Sequence, residues 1–261
     1  MSADLAALVA ARFRDFAAPY LDAPGDAFAY RLKLNHTMRV LGLAETICAG
    51  EGFSERLTLA GRLAALLHDV GRFPQYEMFR TFRDAQSANH ALLSVRHALR
   101  ARLLEGAPND IRRIVLGAVY LHNKRTLPVL RNREIDAVAR LVRDSDKLDI
   151  FKIMVDHFSA PPQEHPEVTL HVKDDPARYT PAILDTVMHR LPGDYRDLVY
   201  VNDFKIMMIG WLYDLNYATA FRLLAQSGHL EAMFASLPAD ADIARLREQI
   251  STDLAERAGR A

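Results

Sequence analysis

Residues 66–72 read Leu-Leu-His-Asp-Val-Gly-Arg, and the adjacent His68 and Asp69 decide how the whole chain is interpreted. They end an apolar helical pattern that begins after Ser54, a favoured N-cap residue, and Gly71 then gives a helix-stop signal. An imidazole and a carboxylate at the end of a core helix are costly to bury unless they share a partner. A divalent metal ion is the simplest partner for both groups.

Other ligating groups of the same kind recur on successive predicted helices. His36 lies among the apolar positions of its helix rather than on a polar face. His90 lies near the start of another helix, for which Ser87 or Asn89 is the N-cap. The candidate ligands are His36, His68, Asp69, His90, His122 and Asp146.

The last two candidates also have a plain structural interpretation. His122 ends an apolar helix before Pro128, and Asp146 lies on the buried side of an amphipathic helix. Taken singly, each histidine is more often a core residue bonded to a carbonyl, and the aspartates near Asp146 can form a solvated face that pairs with Arg143 and Lys147. Taken together, six buried groups without an ion would leave several unpaired or would need large pKa shifts. The joint pattern therefore favours a metal site.

The order of these residues resembles the HD-domain superfamily of metal-dependent phosphohydrolases, whose signature is a His, a His-Asp pair and a final Asp. The matching residues are His36, His68, Asp69 and Asp146. Asp146 is preferred over Asp144 because a basic residue and a leucine, Lys147 and Leu148, follow it. The resemblance covers roughly residues 32–150 and implies an all-α helical bundle.

Members of the superfamily with two metals carry two additional histidines, and His90 and His122 occupy the corresponding places. The resemblance implies that Asp69 bridges the ions, with His36, His68 and Asp146 on one ion and the two additional histidines on the other. The cyclic-di-GMP phosphodiesterase branch is disfavoured, because Asn follows His122 and the Gly-Tyr-Pro signature is missing. The donor set suits two divalent transition metals, iron or manganese first, with zinc, nickel or cobalt as alternatives.

A pair of divalent ions can activate a water near neutral pH and neutralise charge on a phosphoryl oxygen. A small phosphate mono- or diester, nucleotides included, is therefore the expected substrate, and Asp69 is the predicted catalytic position. Guanidinium and ammonium groups bind phosphate oxygens. The predicted substrate contacts are Arg72, Arg80, Arg83 and Lys124, of which the first three lie in a segment rich in arginine and aromatic residues. An ordinary surface loop with salt-bridged arginines is the alternative interpretation of that segment.

Two other functions use the same residues. A small branch of the superfamily, similar to myo-inositol oxygenase and the phosphonate-cleaving oxygenases, holds a mixed-valence di-iron centre with four His and two Asp and activates dioxygen on small polar or phosphonate substrates. The six candidate ligands fit that pattern equally well. A degenerate domain that binds a nucleotide or a partner as a sensor is the third interpretation, and the complete ligand set argues against it.

The composition limits the binding partners and the cellular compartment that we expect for the protein. The 261 residues carry 33 basic and 33 acidic side chains, so no global charge favours nucleic acid or a membrane surface. Cys48, the single cysteine, predicts a buried thiol and a reducing compartment. The N-terminal segment is interpreted as a helix rather than a signal peptide, and the longest apolar stretch is interrupted by polar residues and predicts no membrane span. We expect a cytoplasmic location; the oligomeric state stays open, with a homodimer among the alternatives.

The domain organisation is expected to be simple. One HD-type domain would cover residues 1–261, with a metal-binding core at about 29–158 and a helical extension at about 181–261. The only strand signal, beside a proline-rich stretch, predicts a flexible connection or a short lid hairpin near 160–180. A long helix is predicted over about 201–226.

Overall fold

The computed structural model describes residues 2–22, 27–159 and 172–259. Within these ranges the chain is all-α, which confirms the predicted fold class. The described backbone has one isolated parallel bridge, between Lys173 and Tyr200. Most of the predicted hairpin or lid lies outside the described residues. None of the described helices is long and apolar enough to cross a membrane.

The chain divides into two compact units, Met1–Asp149 and Ile150–Ala261, and a single domain over the whole chain stays a prediction. The helices that begin in the first unit are α1 (Ser2–Leu21), α2 (Ala27–Gly50), α3 (Glu55–Leu67), α4 (Arg72–Phe79), α5 (His90–Arg100), α6 (Asn109–Leu121) and α7 (Arg133–Ser159). The last of these continues past the boundary into the second unit.

Helix α3 is the centre of the first unit and packs against α1, α2 and α6. Its buried face contains small residues, so neighbouring helices can approach closely. At Gly61, an added Cβ would lie 2.5 Å from Cδ2 of Leu141 in α7. This close approach brings α3 beside the helix that carries Asp146.

Polar caps fix the ends of the helices around the candidate ligands. Ser54 caps α3 by accepting a hydrogen bond from the backbone N–H of Leu57, and Asn89 caps α5 in the same way through Leu92. Both caps agree with the sequence analysis, which left Ser87 and Asn89 open for the second. Because His90 is the first residue of α5, its cap also fixes the position of a candidate ligand.

The turn after α3 packs directly against α5. The backbone N–H of Gly71 donates a hydrogen bond to Oγ of Ser94 at 2.9 Å. A Cβ on Gly71 would lie 2.4 Å from the backbone nitrogen of Ser94 and 2.7 Å from Leu93. Only glycine fits this contact, which holds the His-Asp turn next to the helix that begins at His90.

After the end of α7, the described part of the second unit contains four helices of 7–10 residues and a longer one of 18 residues. They are α8 (Pro181–Met188), α9 (Val201–Gly210), α10 (Ala218–Ser227), α11 (His229–Ala235) and α12 (Ala241–Ala258). The single helix predicted over 201–226 is wrong, because a 3₁₀ turn at Trp211–Asp214 and the extended residue Leu215 separate α9 from α10. At Gly210 an added Cβ would lie 2.8 Å from Val187, so α9 ends at a close contact with α8.

Candidate metal centre

Five helices of the first unit bring the six candidate ligands together. Helix α2 carries His36, α3 is followed by His68 and Asp69, α5 begins with His90, α6 is followed by His122, and α7 carries Asp146. The four histidines and Asp69 are buried, none more than 8% exposed, whereas the Asp146 side chain is 20% exposed. The cluster therefore opens towards solvent on the Asp146 side.

The four imidazoles form two pairs in which Nε2 atoms face each other. The Nε2 atoms of His36 and His68 are 3.2 Å apart, and those of His90 and His122 are 3.0 Å apart. The rings of His68 and His122, one from each pair, have centroids 5.2 Å apart. The two pairs are thus direct neighbours.

Two of the imidazoles are oriented by backbone carbonyls of their own helices. Nδ1 of His68 lies 2.7 Å from the carbonyl oxygen of Ala65, and Nδ1 of His122 lies 2.7 Å from that of Val119. A carbonyl oxygen can only accept, so each Nδ1 carries the proton and each Nε2 keeps its lone pair.

The other two imidazoles are oriented by carboxylates. Nδ1 of His36 lies 2.7 Å from Oδ2 of Asp149, and Nδ1 of His90 lies 2.7 Å from Oδ2 of Asp84. The same argument assigns the Nδ1–H form to both rings. All four Nε2 atoms therefore point into the cluster, and that of His36 lies 3.1 Å from Oδ1 of Asp146. Burial would lower the pKa of His36, but its hydrogen bonds with Asp146 and Asp149 raise that pKa above its usual value.

Facing lone pairs at these distances repel each other unless a positive charge lies beside them. Protonation is a poor source of that charge in the second pair, because burial lowers the pKa of His90 and brings the pKa of His122 to about 3. Neutral imidazoles with free Nε2 atoms are the form in which histidine binds metals. The residues present therefore fit divalent metal ions.

Asp69 lies between the two pairs and offers one oxygen to each. Its Oδ2 is 3.6 Å from Nε2 of His36 and 3.8 Å from Nε2 of His68. Its Oδ1 is 3.6 Å from Nε2 of His90 and 3.9 Å from Nε2 of His122. Two buried three-residue groups able to hold an ion thus share one carboxylate.

Asp146 makes the two groups unequal. Its Oδ1 lies 3.1 Å from Nε2 of His36 and 3.8 Å from Nε2 of His68. We call His36, His68, Asp69 and Asp146 the first pocket, and His90, His122 and Asp69 the second pocket. Among the described residues, Asp69 is the one carboxylate recorded at ion-pair distance from the Nε2 atoms of the second pocket.

Residues 34–150 match the family model of the HD domain, a range that contains all six candidate ligands. The chain contains an HD domain. The HD superfamily consists mostly of metal-dependent hydrolases, and the paired pockets are consistent with its metal site. Neither a curated protein nor a solved structure matches the chain.

Two cations flank Asp69. Nζ of Lys33 donates to Oδ2 at 2.9 Å and lies 5.1 Å from the centre of the Phe82 ring. Nε of Arg72 lies 3.4 Å from Oδ1. Burial alone would raise the pKa of Asp69, but Lys33, His68 and Arg72 hold it well below its usual value. The carboxylate is therefore charged and ready to bind cations.

Three residues that contact the ligands were not among the predicted site residues. Lys33 precedes His36 by three positions, so the helical spacing that places both on one face was an available signal. Asp149 follows Asp146 by the same interval and also accepts hydrogen bonds from Arg39. Asp84 had no comparable signal, since only the folded loop brings it to His90.

Asp84 is charged in spite of its partial burial. Burial would raise its pKa, but the hydrogen bond from His90 and the charge of Arg72 lower the pKa of Asp84 to about 2. A charged acceptor at this position strengthens the Nδ1–H form of His90 and makes its Nε2 a better donor to a metal.

The four predicted substrate contacts differ in their surroundings. Arg72 is mostly buried, and its Nη1 donates to Oε1 of Gln75, the carbonyl oxygen of Phe82 and Oδ1 of Asp84. Arg80 and Arg83 are exposed on the loop that follows α4. The Lys124 ammonium lies 4.5 Å from the centre of the Tyr120 ring. Of the four, Arg72 is the residue recorded in contact with the candidate ligands.

Proposed function

We propose that this protein is a metal-dependent phosphohydrolase that cleaves a small phosphate mono- or diester, with nucleotides among the candidates. The observation that carries the proposal is the pair of buried pockets that share Asp69. We propose two divalent ions, with iron or manganese first and zinc, nickel or cobalt as alternatives, since imidazole and carboxylate donors suit all of these metals. A cytoplasmic location belongs to the same proposal.

Two ions bound side by side would supply an activated water near neutral pH and would neutralise charge on a phosphoryl oxygen. The chain's own contribution is to hold the donors in a fixed arrangement. The Nδ1 partners lock every ring with Nε2 directed inwards, and Asp69 presents one oxygen to each pocket. Little reorganisation is then needed when ions and substrate bind.

The unequal pockets support a division of roles. Four residues surround the first pocket, whereas three surround the second. Catalytic metal sites characteristically keep an open coordination position for water or substrate. We propose that the second pocket holds the ion that receives the substrate and that the first pocket holds the more tightly bound ion.

The cations beside Asp69 support a phosphorylated substrate. Arg72 is preorganised by its three acceptors, and its buried Nε makes no hydrogen bond. Lys33 has a single carboxylate partner and the face of Phe82. Once ions balance the charge of Asp69, both cations are free to face phosphate oxygens. Arg80, Arg83 and Lys124 are proposed as outer contacts.

The first test combines metal analysis with an activity assay on anaerobically purified protein. We expect two metal ions per chain and phosphate release from a panel of small esters, independent of oxygen. Two irons in a mixed-valence state, with oxygen uptake and no ester hydrolysis, would contradict the proposal in favour of a di-iron oxygenase. One ion per chain would confine the metal site to the first pocket.

Substitution of the shared ligands gives the matched test. His68→Ala and Asp69→Asn are expected to lose bound metal and at least 99% of the hydrolysis rate, because each removes donors that no neighbour replaces. His189→Ala is the control, since this histidine is exposed and lies outside the cluster. Full activity in His68→Ala would show that the site assignment is wrong.

Arg72→Ala separates substrate binding from metal binding. We expect the variant to retain its metal content while KM rises or kcat falls by roughly 10-fold or more, the usual signature of a lost transition-state or substrate contact. Arg83→Ala, on the exposed loop that follows α4, should have the smaller effect. A loss of metal together with activity in Arg72→Ala would mean that Arg72 is structural.

A further inference from the structure

The two pockets are built on one scheme. In each, the paired histidines are 32 residues apart, one ring is oriented by a backbone carbonyl of its own helix, and the other is oriented by a carboxylate. The orienting carboxylate is Asp149 for His36 in the first pocket and Asp84 for His90 in the second. The carboxylates therefore occupy equivalent positions with respect to their rings.

The equivalence ends at the surroundings of the two carboxylates. Asp149 lies on α7, a 27-residue helix, and its other recorded partner is Arg39. Asp84 lies on a short 3₁₀ turn, Asp84–Gln86, in the loop between α4 and α5. The position of His36 is thus set by long helices, whereas the position of His90 depends on a loop residue.

Asp84 accepts hydrogen bonds from four different residues. Besides Nδ1 of His90, it accepts from the backbone N–H of His90 at 3.3 Å and from Nη1 of Arg72 at 3.1 Å. Nε2 of Gln75 donates to it at 3.1 Å, and Nδ2 of Asn123, the residue after His122, donates at 3.3 Å. One carboxylate thus contacts His90, the neighbour of His122, and the arginine beside Asp69.

Gln75 fixes the loop that carries Asp84. Its side chain is fully buried, and Nε2 also donates to Oγ of Ser87 at 2.8 Å and to the carbonyl oxygen of Ala88 at 2.9 Å. Its Oε1 accepts from Arg72 at 2.7 Å. A buried amide with all these bonds made is costly to disturb, so the loop has one preferred conformation.

We propose that Asp84 is a positioning residue that sets the affinity of the second pocket for its ion. The inference rests on the two-ion site of the proposed function. With only three donors, the second pocket loses more than the first when one donor is misaligned. Asp84 aligns His90 directly and secures Arg72 and Asn123 at the same time, so its loss acts on the second ion in preference to the first.

The substitution Asp84→Asn tests this role with little change of shape. The amide oxygen can still accept from His90, but the amide nitrogen is a donor and would face the donors of Arg72, Gln75 or Asn123. The matched control is Asp149→Asn, which makes the same chemical change at the equivalent carboxylate of the first pocket. Asp84→Glu keeps the charge and serves as the conservative variant.

The measurement is a Mn²⁺ titration of metal-free protein followed by electron paramagnetic resonance, which separates free Mn²⁺, a single bound ion and a spin-coupled pair. In Asp84→Asn we expect the second ion to bind roughly 10- to 100-fold more weakly, the usual cost of losing an outer carboxylate. The affinity for the first ion should change by less than about 2-fold, and the signal of the spin-coupled pair should appear only at high Mn²⁺ concentration. Asp149→Asn should instead weaken the binding of the first ion more than that of the second. For Asp84→Glu, the affinity for the second ion should lie between those of Asp84→Asn and the unaltered chain.

The outcomes separate this inference from the proposed function. If the unaltered chain binds two ions and Asp84→Asn leaves the second affinity unchanged, or weakens both ions equally, the positioning role of Asp84 is wrong and the two-ion site stands. If the unaltered chain binds fewer than two ions, the two-ion site is wrong and the inference falls with it. Circular dichroism of the metal-free variants checks that each one is folded.

Discussion

At the scale of single residues, Gly71 is the most constrained position next to the ligands. Its φ of −70° suits any residue, so the requirement for glycine comes from packing rather than from backbone conformation. We expect Gly71→Ala to destabilise the protein by about 1–3 kcal/mol, because a methyl group must displace the backbone of α5. Thermal or urea unfolding measures this loss.

Gly42→Ala is the matched control for Gly71→Ala. Gly42 lies in α2 on the exposed side, and an added Cβ would meet nothing within 4 Å. Alanine is the better helix former by up to about 1 kcal/mol, so this variant should be neutral or slightly more stable. Equal destabilisation by both substitutions would show that the turn after α3 is not pressed against α5.

The sequence allows the inner residues of the candidate site to be predicted better than the outer ones. His68 and Asp69 are conspicuous because a helix rarely ends on a buried imidazole and carboxylate without a shared partner. Lys33 and Asp84 are polar residues among many others of their kind. Lys33 shares the helical face of His36, but its role arises from a salt bridge to a distant part of the chain. The role of Asp84 arises from a loop conformation that leaves no periodic pattern.

At the scale of elements, the N-cap of α5 links helix stability to a candidate ligand. Asn89 caps the helix through Leu92, and His90 is its first residue. We expect Asn89→Ala to cost about 1 kcal/mol of stability, as is usual for a lost cap. Asn89→Ala should also lower the affinity for the second ion in a Mn²⁺ titration, since fraying of the first turn moves His90.

Ser54→Ala supplies the comparison for the Asn89 variant. Ser54 caps α3 at the end opposite to His68, through Leu57. The loss of stability should be similar, and the affinity for both ions should stay unchanged. If Asn89→Ala lowers the melting temperature without weakening the second ion, the first turn of α5 does not control the position of His90.

The helices of the first unit follow from apolar periodicity and cap residues, which act locally. The break between α9 and α10 does not follow in this way. Residues 204–224 keep an apolar pattern without proline, and Gly210 alone is a weak signal. The break coincides with the close approach of Gly210 to Val187, a contact between different helices that no local pattern reports.

At the scale of the whole molecule, the ligands are confined to one of the two units. All six candidate ligands and the four groups that orient the imidazoles lie within Met1–Asp149. A ligand that binds only the folded state stabilises it by RT ln(1 + [L]/Kd), about 2.7 kcal/mol at 100-fold excess over Kd. Bound ions should therefore stabilise mainly the helices and turns that hold them, because proteins open locally with different free energies in different segments.

Hydrogen exchange with and without metal measures where that gain appears. We expect removal of the ions by a chelator to speed amide exchange by up to about 100-fold in the turn after α3, in the first turn of α5 and at the end of α6. Exchange in α10, α11 and α12 should be unchanged, since their residues supply no ligand and no recorded partner of a ligand. Equal acceleration in α12 would mean that the ions stabilise the chain as one cooperative body, and the division at Asp149 would then be geometric rather than energetic.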